Sequence, residues 1–318
     1  MVALAVVATA QAGPREDPAA IERAAAYSAR RGETALLVWQ GGKVIYERGS
    51  AAAPRVFSIT KSLVAIGVFR DAPGGKLSLA SPVTCPVARG VRLADLLNQT
   101  SGLAPTQREF YSTGLRDKQA VLHRLARPSA SRLFAYGPAH WEVLAEEIRL
   151  RRGSSLDHWL RKFVPGVSAD VLARWRRDDR GSPFFSTGAR MQPRELLPAA
   201  REVLRGLGRN TWPAQVREPL ASGTPANRMY ALGFWLNRGA AAPGAREISV
   251  EGSVGSPHEP SFWRQGCLSK HAPKDLVAMI GTRGQRVYLV PSHDLAIIRF
   301  GQSPGYSDAD FLAALFRR

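Results

Sequence analysis

The chain has two cysteines in 318 residues, Cys85 and Cys267, far apart in sequence and part of no metal-ligand pattern. In an oxidising compartment they could pair; two separately buried thiols are the alternative. Lysine is scarce as well, with seven against 37 arginines, and 44 basic residues against 26 acidic ones give a net charge of +18. The arginines are scattered. Their densest cluster, Arg174, Arg176, Arg177 and Arg180, is interleaved with Asp178 and Asp179. No zinc-finger spacing, aromatic RNA-binding motif or lysine-rich tail accompanies them, so no nucleic-acid partner is expected. The positive field instead suits a basic enzyme that associates with acidic envelope polymers.

No internal stretch approaches the roughly 18 uninterrupted apolar residues that a membrane span requires. The N-terminus, Met1 to Ala12, is apolar and ends in Ala10-Gln11-Ala12. It reads as the core and small-residue cleavage site of a secretory signal, without the basic region that normally precedes one. Residues 1–12 are therefore set apart from the fold. A periplasmic or secreted mature protein is expected, beginning near Gly13.

An apolar content of 45% marks a globular chain of one or two domains, and no internal repeat is present. Residues 35–40 and 43–47 alternate around Gly41-Gly42 and predict a β-hairpin. A second pair of strands, 286–290 and 295–300, flanks the turn Pro291-Ser292-His293-Asp294. Between the two ends the period is helical, over 61–70, 91–98, 117–126, 138–151, 155–163 and 193–206, and a last helix is expected at 308–316. The pattern predicts an α+β fold. An antiparallel sheet built from both chain ends, 13–70 and 226–318, is flanked by helices and carries an inserted, mainly helical subdomain, 71–225.

Within this frame Ser58-Ile59-Thr60-Lys61 opens an apolar helix. Positions i and i+3 share a helix face, so the Lys61 amine can reach the Ser58 hydroxyl, a nucleophile beside its base. A solvated i,i+3 polar pair is the alternative. No Gly-x-Ser-x-Gly elbow exists for a Ser-His-Asp arrangement, and His293 is better explained as a turn residue.

The order of motifs resembles the serine β-lactamase and penicillin-recognising superfamily, in particular its class C-like branch with the family VIII esterases and 6-aminohexanoate-dimer hydrolase. The residues that carry the resemblance are Phe57 to Ser62, Gly75 to Val83, Val91 to Leu103, Phe134 to Pro138 and Gly281 to Pro291. It implies a β-lactamase/transpeptidase-like fold and a cofactor-free, metal-free serine hydrolase working through an acyl-enzyme. Ser58 would be the nucleophile, with Lys61 and Tyr136 as the proton relay. The oxyanion would be held by the backbone N–H groups of Ser58 and Gln285, with Gly284 allowing close approach of substrate. The substrate would be a small-molecule or peptide-like ester or amide.

Two departures from the family pattern bear on activity. Tyr-x-Asn reads Tyr136-Gly137-Pro138, which removes an amide that would hold the substrate carbonyl or support the lysine. The Lys-Thr-Gly triad reads Thr282-Arg283-Gly284, a cation displaced by one position. Arg283 is a candidate for binding a substrate carboxylate, against the simpler reading of a solvated arginine. Both departures favour esterase or amidase chemistry over β-lactamase chemistry. The alternatives are a weakly catalytic or non-catalytic penicillin-fold protein that binds envelope polymer, and a D-alanyl-D-alanine peptidase.

Overall fold

The computed structural model describes residues 14–49, 52–74, 77–104, 108–111, 114–125, 128–255, 258–302 and 305–317. The signal-like segment 1–12, the Gly13 start and the Gly75-Lys76 part of the second motif lie outside the described residues.

The strands in chain order are β1 (Glu33–Gln40), β2 (Lys43–Gly49), β3 (Tyr230–Ala231), β4 (Phe234–Leu236), β5 (Arg246–Glu247), β6 (Gly266–Cys267), β7 (Val277–Gly281), β8 (Gln285–Val290) and β9 (Leu295–Gly301). Seven of them form one sheet in the order β2-β1-β9-β8-β7-β4-β3, antiparallel throughout. The sheet therefore joins the two ends of the chain, since β1 pairs with β9. Gly41 and Gly42 have φ of 56° and 97°, the left-handed pair that a tight hairpin needs. The short strands β5 and β6 pair apart from this sheet.

The helices are α1 (Pro18–Ala29), α2 (Ile59–Asp71), α3 (Leu93–Leu97), α4 (Arg108–Tyr111), α5 (Lys118–His123), α6 (Ala139–Arg152), α7 (Leu156–Phe163), α8 (Ala169–Ala173), α9 (Pro193–Gly208), α10 (Ala214–Ser222), α11 (Val250–Ser253), α12 (Pro260–Arg264) and α13 (Asp308–Phe316). Helix α2 is buried on every side, with Arg70 alone outside, and it touches α7, α9, β7 and β8. Such all-round burial is what an apolar helix of this kind requires. Gly67 is one condition for it, because a side chain there would collide with Trp159 and Val164.

The sheet has two apolar faces. Leu37, Met279, Val287 and Ile298 face the core that contains α2 and the helices between the chain ends. Leu36, Ala278, Tyr288 and Ile297 face a second core with α1, α13 and the aromatic residues Phe134, Trp235 and Trp263. Both cysteines are buried as free thiols, which decides between the two readings of Cys85 and Cys267.

Candidate active site

Ser58 caps the N-terminal end of α2 and adopts helical angles, while Phe57 before it has φ 48°. A left-handed bulky residue costs on the order of 1–3 kcal/mol and persists only where its surroundings fix it. Here they do. Thr60 Oγ1 donates to the Phe57 carbonyl at 2.6 Å and accepts from the Ala189 N–H at 3.1 Å. The Val56 N–H donates to the Ala189 carbonyl at 3.1 Å, so segment 186–191 is laced to the loop that precedes the nucleophile.

Lys61 Nζ donates to Ser58 Oγ at 2.9 Å and to the Ser186 carbonyl at 3.1 Å, with both side chains buried. Burial pushes the Lys61 amine down to about 7, against the pull of the nearby Glu142 carboxylate. A lysine at that value is half neutral at neutral pH and able to accept a proton.

Tyr136 reaches the same place from the loop before α6. Its hydroxyl shares a hydrogen bond with Ser58, and the Lys61 amine lies 5.0 Å from its ring centre. Burial raises the phenol well above its ordinary value, with the Ser58 bond opposing, so Tyr136 is protonated at neutral pH. The tyrosine is clamped from both sides. Gln99 accepts from the Ala135 N–H through its carbonyl at 3.0 Å and from the Gly137 N–H through Oε1 at 2.6 Å. His140 bridges Ser101 Oγ and the Ala135 carbonyl at 2.9 Å each, and burial lowers it to about 4, which keeps the ring neutral. Gln99 and Ser101 belong to the third motif of the sequence, which thus acts as a brace for Tyr136.

The glycine that packs against the loop before Ser58 is Gly281. A Cβ on Gly281 would run into the Val56 carbonyl, two residues before Ser58. Gly284 lies in the β7–β8 turn with φ 75°, backed by Arg299 and Tyr306. Gln285 pairs with Gly281 across the hairpin and turns its side chain into the sheet, towards the Gly301 carbonyl. Arg283 is exposed in the same turn with φ 63°. The strand residues before Gly281 are Met279 and Ile280, both apolar and buried, so β7 itself brings no cation to the nucleophile. The carboxylate at this turn is the chain's own. Glu251 accepts from the Arg283 and Gly284 N–H groups at 2.9 and 3.0 Å and pairs with buried Arg286 at 2.9 Å. Consecutive left-handed residues present their N–H groups as an anion-binding concavity, and Glu251 fills it. Among the described residues no hydrogen bond engages the N–H groups of Ser58 or Thr282.

Sequence reading missed the shell behind Lys61. Glu142 is fully buried on α6 and accepts from the Ser186 N–H at 2.9 Å, from Ser186 Oγ at 2.7 Å and from Lys118 Nζ at 3.0 Å. Lys118 is buried too and also donates to the Pro183 carbonyl. One signal was present in the sequence: a lysine, in a chain with only seven, at the first position of a helix.

A serine and a lowered-pKa lysine on one buried helix, a protonated tyrosine facing them and a glycine strand edge beside them thus lie together on a β-lactamase/transpeptidase-like fold. Residues 18–164 match the family model described as Beta-lactamase, a segment that includes Ser58, Lys61 and Tyr136. Among solved structures, the hydrolase EstCE1, described as having promiscuous acyltransferase activity, is 15% identical with a TM-score of 0.65 over 94% of this chain and 98% of that one. A class C β-lactamase from Rhodobacter sphaeroides is 17% identical with a TM-score of 0.59 over 93% and 97%. A β-lactamase from Mycobacterium bovis is 19% identical with a TM-score of 0.58 over 94% and 96%. No curated protein matches by sequence. The match over residues 18–164 and the shared fold make the chain similar to the serine β-lactamase-related proteins.

Proposed function

We propose that the protein is a serine hydrolase that cleaves an ester or amide through an acyl-enzyme on Ser58. The observation that carries this reading is the buried 2.9 Å contact between Lys61 Nζ and Ser58 Oγ, made by an amine held at about 7. Neutral Lys61 takes the Ser58 proton as Oγ attacks the carbonyl carbon. Tyr136 protonates the departing alcohol or amine and regains its proton through Lys61. Water then attacks the acyl carbon, gives its proton to the same pair, and releases the acid and Ser58. The oxyanion is held by the Ser58 and Thr282 N–H groups, with Thr282 taking the role that the sequence assigns to Gln285. Each such donor contributes about 2.7–4 kcal/mol to lowering the barrier.

Esterase or amidase action is favoured over β-lactamase or D-alanyl-D-alanine peptidase action because β7 brings no cation and Glu251 already fills the turn where a substrate carboxylate would bind. The substrate we infer is therefore a small ester or amide without a carboxylate at that position. Export, with cleavage after Ala12, and association of the basic surface with acidic envelope polymers complete the proposal. The test is labelling with a fluorophosphonate and mapping of the adduct. It should fall on Ser58 and vanish in Ser58→Ala; labelling unchanged in that variant defeats the reading. Protein recovered from its native host should begin near Gly13, and an intact Met1 would refute export by this route.

A further inference from the structure

We propose that the buried pair Glu142 and Lys118 is the positioning unit of this site: through Ser186 it fixes Lys61 Nζ beside Ser58 Oγ, and its two opposite charges govern how readily Lys61 sheds its proton. The inference rests on the reading of Ser58 and Lys61 as nucleophile and base. With Pro138 where an asparagine amide is expected, Lys61 has the Ser186 carbonyl as its second acceptor. Ser186 is held in turn. Its N–H and hydroxyl both donate to Glu142 Oε1, while Oε2 of the same carboxylate takes Lys118 Nζ. A chain of four hydrogen-bonded steps thus runs from Lys118 through Glu142, Ser186 and Lys61 to Ser58, and Lys118, Glu142 and Lys61 are all buried.

The electrostatics follow from the order of charges. Glu142 is the carboxylate that acts on Lys61, and it favours the ammonium. Lys118 offsets that carboxylate from its far side. The other titratable groups are accounted for. Neutral His140 on α6 feels Lys61, and Tyr136 faces Lys61 directly. Tyr111 and Arg176 act on Glu142 from outside, with Arg55 beside Arg176. Glu251 on α11 and Arg286 on β8 also act on Tyr136. Glu142 and Lys118 form the buried ion pair that touches Ser186, and an uncompensated buried charge has a large effect on its neighbours because the interior screens weakly.

Opposite shifts follow for the two halves of the pair. In Glu142→Gln the remaining Lys118 ammonium repels a proton on Lys61, so the acid limb of kcat/KM for p-nitrophenyl acetate should move to lower pH. In Lys118→Met the uncompensated Glu142 favours the ammonium, and the limb should move to higher pH. Each shift should be on the order of one pH unit, and the double variant should lie between the two. A side chain that only filled space would move neither limb. Parent-like limbs in both single variants, or shifts in the same direction, overturn the proposal. Where one single variant does not fold, the direction of the other decides. Where neither folds, Glu142→Gln/Lys118→Met decides, since replacing both charges together is often neutral for stability; its limb should lie at or below that of the parent, and a rise overturns the proposal. Failure of fluorophosphonate to label Ser58 in the parent would instead remove the underlying reading. Ser58-dependent labelling with unmoved limbs removes this inference alone.

Discussion

The Lys61 amine stands 5.0 Å from the centre of the Tyr136 ring, and both residues hydrogen-bond the one hydroxyl of Ser58. Groups that share a single proton network fail together. Lys61→Ala and Tyr136→Phe should each lower turnover of a short-chain p-nitrophenyl ester by on the order of 10²-fold or more. The double variant should be scarcely worse than the poorer single one. Additive losses, or full activity in Tyr136→Phe, would take Tyr136 out of the relay.

The pH profile should follow Lys61. Below about 7 the amine is protonated and cannot accept the Ser58 proton, so kcat/KM should rise about tenfold per pH unit and level off above that value. A flat profile between pH 5 and 8 would contradict the role of base.

Stability should move with the same residue. Folded Lys61 loses its proton near 7, whereas the unfolded amine keeps it to 10.5. Between those values the unfolded chain binds more protons, so this residue's contribution to stability rises with pH and is least favourable at and below pH 7. Lys61→Met should therefore gain on the order of 2–4 kcal/mol at pH 7 while losing activity, as read from denaturant midpoints. A Lys61→Met protein that melts earlier than the parent would show that the amine is not strained by burial.

Gly281→Ala places a methyl group against the Val56 carbonyl. Backbone cannot yield there as a flexible side chain could, so the loop holding Phe57 and Ser58 should shift. Labelling of Ser58 should slow by at least an order of magnitude, since small misplacements at a reacting centre are costly. Labelling at the parent rate would show that the strand edge does not position the nucleophile.

Gln99→Ala removes the acceptor of the Gly137 N–H and a donor to Tyr230 Oη at 2.8 Å. The loss should be about 1–3 kcal/mol in stability from unpaired buried groups. Turnover should fall further than in an equally destabilised variant remote from the site, because Tyr136 loses its brace. Equal turnover in the two would assign Gln99 to folding alone.

Much of this architecture can be read from local pattern. The β1–β2 hairpin, the β8–β9 hairpin and helices α2, α6, α7, α9 and α13 follow from period and turn chemistry, and Ser58 and Lys61 follow from helix register. Strands β3 and β4 escape because two or three residues carry no period, and their neighbour β7 is apolar on both faces. Helix α1 lies close behind the segment set aside as a signal, and its alanine-rich turns carry a weak apolar stripe. The Glu142 and Lys118 pair escapes for another reason: Glu142 sits among Glu146, Glu147, Arg149, Arg151 and Arg152 on α6, where acidic and basic residues read as a solvated face. Only tertiary contact separates the carboxylate that meets Ser186 from its neighbours, of which Glu147 is buried too. The packing of Gly281 against the Val56 carbonyl escapes likewise, because which glycine of a hairpin faces another loop depends on register across the sheet.

Asp308, at the start of α13, grips Arg286, which in turn donates to the Gly281 carbonyl at 2.7 Å beside the nucleophile loop. A helix made some 250 residues after Ser58 therefore completes the frame around that serine. Until then Ser58 and Lys61 can share a helix but lack the strand that fixes their loop, so a nascent chain should acquire reactivity only after α13 has been made. The chain should likewise resist division into two separately folding halves.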